Sequence, residues 1–288
     1  MGIKVGVVGL GVMGGAFAGH LLDAGFEVAG YDPEDAMYKK FKGKALRRAA
    51  SPADVAKEAQ LIMTSLPNYG VVEKAVCGPD GVFEGALAGA IIADMSTVPP
   101  KFSRTMAGHA EEKGMNWLDS PVSGVGKQAA VKDLVVMSSG PKAAFELARP
   151  AFDAIGKKTI FVGEENGHAA QLKLVVNLVL FINMAGAAEG MTLGLKAGIS
   201  PDVMLETLCA GAAGSNVLDV RGKDMLADNY PPSGPIWIVL KDLECAIQSA
   251  KDMDVPVPLG GLLEQFYMAQ RSKGRQDEDG SSIFRIYK

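Results

Sequence analysis

Short runs of β-forming residues alternate with helical patterns through the first half of this chain, and that alternation leaves few folds open to it. Strands are expected at 3–8, 27–31, 61–65, 91–94, 117–119, 134–138 and 159–162, with helices at 14–24 and 52–58. Strand, helix and strand in repetition give a parallel sheet covered on both faces, and right-handed crossovers make it doubly wound. The last two strand candidates lack a long helical pattern between them, so a locally antiparallel edge is expected there. After Gly163 the pattern changes. Residues 167–196 contain no proline and predict a helix that ends at the stop signals Gly198 and Pro201. At about 1.5 Å per residue it would be roughly 45 Å long. Further helices are expected at 201–209, 217–227, 239–253 and 261–273, separated by proline-rich turns at 230–235 and 255–258. The reading is an α/β domain over 1–163 and an all-helical domain over 164–288 that includes the long connecting helix. The apolar residues of the tail, Ile283, Phe284, Ile286 and Tyr287, are expected to dock.

Composition narrows the function classes. A length of 288 residues suits two domains, each with its own core, and 48% hydrophobic with 22% charged residues excludes a disordered chain. Twenty-nine Lys and Arg against 33 Asp and Glu leave a net charge of −4, with no basic excess to neutralise nucleic-acid phosphates or anionic lipid. Cys77, Cys209 and Cys245 are far apart, which predicts neither a disulfide framework nor a metal site and fits a reducing, cytoplasmic setting. Gly6, Gly9, Gly11, Gly14 and Gly15 break the N-terminal apolar run, which reads as strand and turn rather than signal peptide. The most apolar stretch, 174–188, contains Asn177 and Asn183 and lies between Lys173 and Glu189. It falls short of the roughly 18–20 residues that span a bilayer, so no membrane segment is expected.

Gly9-Leu-Gly-Val-Met-Gly14 matches GxGxxG. The strand before it and the helix after it make a Rossmann-type dinucleotide site the leading reading. Such glycines permit a tight turn, close approach to a pyrophosphate and helix–strand packing, and the helix N-terminus favours the phosphates. Asp32 ends the next strand, where a carboxylate accepts hydrogen bonds from the adenosine ribose and repels a 2′-phosphate, so NAD is expected over NADP.

A nicotinamide enzyme acting on an alcohol needs a group that moves the hydroxyl proton. His20, His109 and His168 have no evident partner, and each reads as a surface or packing residue. Lys173 stands between Leu172 and Leu174 on the long helix, with Asn177 one turn on. Desolvation there would favour a neutral amine fit for proton transfer, and the pair would line a cleft. A Lys that reaches solvent and an Asn that caps a neighbour fit the spacing equally well. Asp119-Ser-Pro-Val-Ser-Gly124 follows a strand end and could bind a carboxylate, or be a turn. Lys241-Asp242 belongs to the second domain and reads by itself as a surface charge pair.

At these residues the sequence resembles the β-hydroxyacid dehydrogenase family over nearly its whole length. That family includes 3-hydroxyisobutyrate dehydrogenase and tartronate semialdehyde reductase and is related to 6-phosphogluconate dehydrogenase. Gly9-Leu-Gly-Val-Met-Gly14 is similar to its GLGxMG opening, Ser65-Leu-Pro-Asn68 to its LPN segment and Asp94-Met-Ser-Thr97 to its DxST segment. Asp119-Ser-Pro-Val-Ser-Gly124 resembles its substrate loop, Lys173 with Asn177 its KxxxN helix, and Lys241-Asp-Leu243 its KDL. Ala213-Gly-Ser-Asn-Val-Leu-Asp219 is similar to a stretch in the tartronate semialdehyde reductase branch. The resemblance implies hydride transfer between NAD and a small 3-hydroxy carboxylic acid, with Lys173 as general acid/base and Asn177 orienting the substrate. It implies cofactor contacts from Gly9, Leu10, Gly11, Val12, Met13, Gly14, Asp32, Leu66, Pro67, Thr97 and Lys241. Ser123, Gly124, Lys173, Asn177 and Lys241 would bind substrate. The sequence departs from the family at Val125, Lys132 and Ala169, each where a glycine is common. Val125 is expected to reshape the acid-binding loop. Lys127 and Lys132 flank that loop, either as surface charges or as attractors of a second acidic group.

Two other readings stay open. Imine reduction with NAD(P)H uses the same fold, but members of that kind usually lack the lysine. A non-catalytic dinucleotide-binding interaction protein would show damaged proton chemistry. The long helix is apolar in nearly every direction, and a homodimer or homotetramer is expected to cover it. In that assembly residues 214–216 could serve the neighbouring chain's cleft.

Overall fold

The computed structural model describes residues 3–287. The chain forms two compact units that divide between Lys173 and Leu174.

The first unit is built on a nine-stranded sheet among the described residues. Its strands are β1 (Val5–Val8), β2 (Val28–Tyr31), β3 (Arg47–Arg48), β4 (Leu61–Thr64), β5 (Ile91–Asp94), β6 (Asn116–Asp119), β7 (Val122–Ser123), β8 (Val135–Ser139) and β9 (Lys158–Gly163). The order β3-β2-β1-β4-β5-β6 is parallel throughout, the order of dinucleotide-binding sheets, with its switch point between β1 and β4. The helices are α1 (Val12–Asp23), α2 (Pro52–Ala56), α3 (Tyr69–Cys77), α4 (Val82–Gly85), α5 (Pro100–Glu112), α6 (Gly126–Ala130) and α7 (Lys142–Ile155).

Successive strand residues point to opposite faces. Val5, Val7, Leu61, Met63, Ile91 and Ala93 therefore join one core with Phe17 and Leu21 of α1 and Phe145 and Phe152 of α7. Val8, Ile62, Ile92 and Trp117 join another with Val55, Val72 and Met106. Burial on both faces is why these strands read as continuous apolar runs rather than alternating ones.

The expected antiparallel edge is misplaced in the sequence reading. β8 and β9 are parallel, joined by α7. Pro150 inside α7 masks that helix in the sequence, although Phe145, Ala148, Phe152 and Ile155 form a regular buried stripe. The antiparallel pairs are β6 with β8, through Asp119 and Ser139, and β7 with β8.

α8 (His168–Lys196) runs for 29 residues. By length and composition it could cross a membrane. Its buried positions Ala170, Lys173, Asn177, Phe181, Met184, Ala188 and Met191 recur every three or four residues, as on the inner stripe of a core helix. It ends at Gly198 in the left-handed region, φ +81°. The division between the units falls within α8 because its first turn is tied to the sheet: Gly167 N and Ala170 N donate to Asp119, and Ala169 N to Ser139.

In the second unit α9 (Pro201–Ala210), α10 (Asn216–Leu226), α11 (Ile236–Asp252) and α12 (Pro258–Arg271) surround the rest of α8. The tail docks as expected, with Ile283 and Phe284 fully buried. The buried Arg221–Asp279 ion pair, 2.8 Å, holds its root.

Candidate active site

The turn after β1 has the form a dinucleotide needs. Gly9 takes φ +91°, and a Cβ there would collide with the Ser65 carbonyl oxygen. A Cβ on Gly14 would collide with the Gly9 carbonyl oxygen. Gly11 is different: a Cβ there would meet nothing of the chain within 4 Å. Two glycines thus let the chain close on itself, and the third leaves open space at the start of α1, where Val12 is 72% exposed beside Met13. That cradle fits a pyrophosphate.

Asp32 lies where the sequence places it, just past β2, and its carboxylate accepts from Leu10 N (2.8 Å) and Glu34 N (2.9 Å). Tyr38 Oη accepts from Asp32 N (2.9 Å), fixing the acid's backbone. Lys40 is a residue that sequence reasoning missed. Its ammonium donates to Leu10 O (2.8 Å) and Gly11 O (3.0 Å), and burial lowers its pKa. No local pattern marks a lysine 29 residues from the turn it braces.

The loops after β4 and β5 carry Leu66, Pro67 and Thr97 and are stitched together. Leu66 N donates to Ser96 Oγ (3.0 Å), while Ser96 N (3.1 Å) and Thr64 Oγ1 (2.8 Å) both donate to Asp94 Oδ1. Asn68 caps α3 by accepting from Val71 N (3.0 Å). Burial pushes the Asp94 carboxyl above the usual carboxylate range.

Ser123 ends β7 and Gly124 follows it. Gly124 has φ +136°, a conformation closed to other residues. Val125 follows at φ −114° and ψ 173°, an extended conformation that suits a β-branched side chain. Gln128 steadies it, accepting from Val125 N (3.1 Å) and donating to Asp133 (3.0 Å). The loop continues towards the dinucleotide turn, since a Cβ on Gly126 would lie 2.6 Å from Val12 Cγ1. Lys132 has the left-handed φ of +60° that explains the family's glycine, but its charge acts on Asp23, at the far end of α1 from the turn. Lys132 is exposed, just past α6. Lys127 is exposed on α6.

Lys173 is 9% exposed and Asn177, one turn along α8, is 5% exposed, so neither is a snorkelling or surface group. In the second unit Asn177 Nδ2 donates to Asp242 Oδ2 (2.7 Å), and Lys241 Nζ pairs with Asp242 Oδ1 at 3.0 Å. Asp242 is 3% exposed, so the Lys241-Asp242 pair is an internal brace rather than the surface pair its sequence suggests. The Asn177 amide group is thereby turned to offer its oxygen elsewhere. His20 bonds Ala129 O (2.8 Å), His168 pairs with Glu165 (3.4 Å) and His109 is exposed on α5; none joins these groups.

Residues 4–163 match the family described as the NAD binding domain of 6-phosphogluconate dehydrogenase. Residues 167–287 match the one described as NAD-binding of NADP-dependent 3-hydroxyisobutyrate dehydrogenase. The chain is 34% identical to 2-(hydroxymethyl)glutarate dehydrogenase of Eubacterium barkeri, over 99% of this chain and 95% of that protein. It is 31% identical to L-threonate dehydrogenase of Cupriavidus necator, over 100% and 97%. Its fold is similar to that of 3-hydroxyisobutyrate dehydrogenase from Salmonella typhimurium, with a TM-score of 0.90, 28% identity and 99% of each chain covered. The chain belongs to the β-hydroxyacid dehydrogenase family, NAD(P)-dependent oxidoreductases that act on the CH–OH group of hydroxy acids.

Proposed function

We propose that the protein interconverts a small 3-hydroxy carboxylic acid and its semialdehyde, with NAD as the cofactor and Lys173 as the proton carrier. The observation that carries this reading is a buried lysine, 9% exposed, on a helix whose start is tied to the sheet that bears the dinucleotide turn. The nicotinamide, when bound, supplies the hydride acceptor and donor. In the oxidative direction the neutral Lys173 amine takes the hydroxyl proton as the C–H bond breaks; in reduction its ammonium returns it. Asn177, oriented by Asp242, offers its amide oxygen to the substrate hydroxyl. Ser123 and the Gly124 amide are the carboxylate donors of the first unit, and Lys241 of the second keeps the substrate role that the family resemblance implies. Asp32 supports NAD over NADP, because its charge would oppose a 2′-phosphate and Glu34 and Asp35 follow it closely.

The relative from Eubacterium barkeri is named for an acid with two carboxylates, so the substrate panel should include such acids. The decisive experiment is steady-state turnover with NAD and NADP on mono- and dicarboxylic 3-hydroxy acids and their esters. Free acids should exceed esters by about 10–150-fold, the cost of a lost charge-assisted hydrogen bond. Equal rates on acid and ester would remove the carboxylate site from the reading.

We also infer a homodimer or homotetramer. On α8, Val175 (48%), Val179 (52%) and Leu193 (74%) are exposed, and Gly186, Ala187 and Gly190 line a groove of about 390 Å³ with Ala212–Ser215.

A further inference from the structure

The start of α8 poses a problem that its own sequence does not solve. The first N–H groups of a helix have no partner within it, and a Ser, Thr, Asp or Asn just before the helix usually supplies one. Here Gly167 occupies that place at φ +93°, a conformation costly for a capping side chain. The side chain of the residue before it, Asn166, is engaged with the sheet, donating to Trp117 O (2.9 Å) and to Asp119 Oδ1 (3.3 Å).

The cap comes from the sheet instead. Asp119, at the end of β6, accepts from Gly167 N (2.9 Å) on Oδ1 and from Ala170 N (2.9 Å) on Oδ2. Ser139, at the end of β8, accepts from Ala169 N (2.8 Å) and donates to Asp119 Oδ2 (2.7 Å). Both side chains are buried, and Asp119 and Ser139 are the one residue pair that joins β6 to β8. Beyond His168 N, which donates to Glu165 O (3.4 Å) in the flank, the amides of the helix start are thus held by residues 30 to 51 positions away.

Lys173 stands three residues beyond Ala170, about 4.5 Å along the helix axis. Helical side chains lean towards the N-terminus, so Lys173 covers the Ala169–Ala170 turn that Asp119 and Ser139 hold. Asp119 also opens the segment that leads through Pro121 to Ser123 and Gly124. One carboxylate therefore meets both the helix of the proton carrier and the base of the acid-binding loop.

We propose that Asp119, with Ser139, is a positioning residue for Lys173: it sets the height and rotation of the first turn of α8 and thereby the point from which the lysine reaches the substrate hydroxyl. The inference rests on the reading of Lys173 as general acid/base. Misplacement of a reacting group by about 1 Å costs on the order of 10²-fold in rate. A cap with only a structural role would cost stability and leave turnover of the folded enzyme unchanged.

The test uses the whole enzyme as Asp119→Asn, Ser139→Ala, Lys173→Ala and Ser103→Ala, assayed well below each variant's melting temperature. Ser103, on α5, accepts from Trp117 Nε1 (3.0 Å) of β6 and is not a partner in the Asp119–Ser139 hydrogen bonds, so its variant matches the loss of a buried hydrogen bond without loss of the cap. NADH affinity is read by fluorescence titration, and kcat and KM for the best acid of the panel by initial rates. Asp119→Asn and Ser139→Ala should lower kcat by about 10- to 100-fold with NADH Kd within threefold of the parent, and Ser103→Ala should leave kcat within threefold. If Asp119→Asn does not fold, Ser139→Ala, which keeps the charge, decides. Folded cap variants with near-parental kcat, beside a Lys173→Ala enzyme that has lost about 10²-fold or more, would overturn the positioning role alone. Near-parental kcat in Lys173→Ala would instead overturn the reading of the lysine and this inference with it.

Discussion

Three glycines of the dinucleotide turn look equivalent in the sequence, and the structure predicts that they fail differently. At Gly9 an alanine must adopt φ +91° and press on the Ser65 carbonyl. The left-handed conformation costs about 1–2 kcal/mol and overpacking about 1–3 kcal/mol. Together these make roughly 2–5 kcal/mol, or about 4–20 °C in melting temperature at 2–4 °C per kcal/mol for a domain of this size. At Gly11 φ is −59° and ψ −155°, at the margin of the extended region, and nothing of the chain lies within 4 Å of the added methyl. Stability should fall by about 1 kcal/mol, less than at Gly9. The methyl instead fills the space through which a pyrophosphate would approach the α1 amides. Loss of one charge-assisted hydrogen bond costs about 1.5–3 kcal/mol, so NADH Kd should rise by about 10–150-fold. Thermal melting without cofactor and fluorescence titration with NADH separate the two outcomes. A Gly11→Ala protein that binds NADH within twofold of the parent, or that melts as early as Gly9→Ala, would refute the assignment of the open side of the turn to the cofactor.

Asp32→Asn keeps an acceptor for the Leu10 amide but loses the one for the Glu34 amide and removes the charge, so the NAD-to-NADP ratio of kcat/KM should fall by about tenfold or more, with a loss of about 1 kcal/mol of stability from the broken bond; an unchanged ratio would show that Asp32 does not select the cofactor. Burial raises the Asp94 pKa, so the protonated acid is favoured in the fold. Its stabilising contribution is complete below the unfolded carboxylate pKa and is lost as pH rises through the folded value. Relative to Asp94→Asn, the parent should therefore lose stability between mildly acidic and alkaline pH in urea titrations, whereas a pH-independent difference would mean the group ionises freely. Light scattering at micromolar concentration should give a mass of two or four chains, and a mass near one chain would remove the assembly from the reading of α8.

Local physics made much of the fold legible. The glycine spacing, the apolar strand before it and the acid after β2 act within about thirty residues, and each constrains the backbone directly. The long helix was equally plain, because no proline or turn cluster interrupts it. β3 and β7 were missed because each is only two residues long and exists through its neighbour rather than its own propensity. α7 was hidden by Pro150, which a helix tolerates when its other face is packed, as it is here by Phe145 and Phe152.

The sequence by itself determined the doubly wound order of elements, the dinucleotide turn, and Lys173 with Asn177 on one helix face, because hydrogen bonding and side-chain periodicity along a helix or strand are short-range. Only the tertiary structure decided which acids are buried. Asp119 reads as a turn residue and Asp242 as a surface charge, yet each is almost fully buried, on partners 48 to 65 positions distant. Burial of a charge is settled by what the rest of the chain brings around it, since only enough convergent donors offset the loss of water.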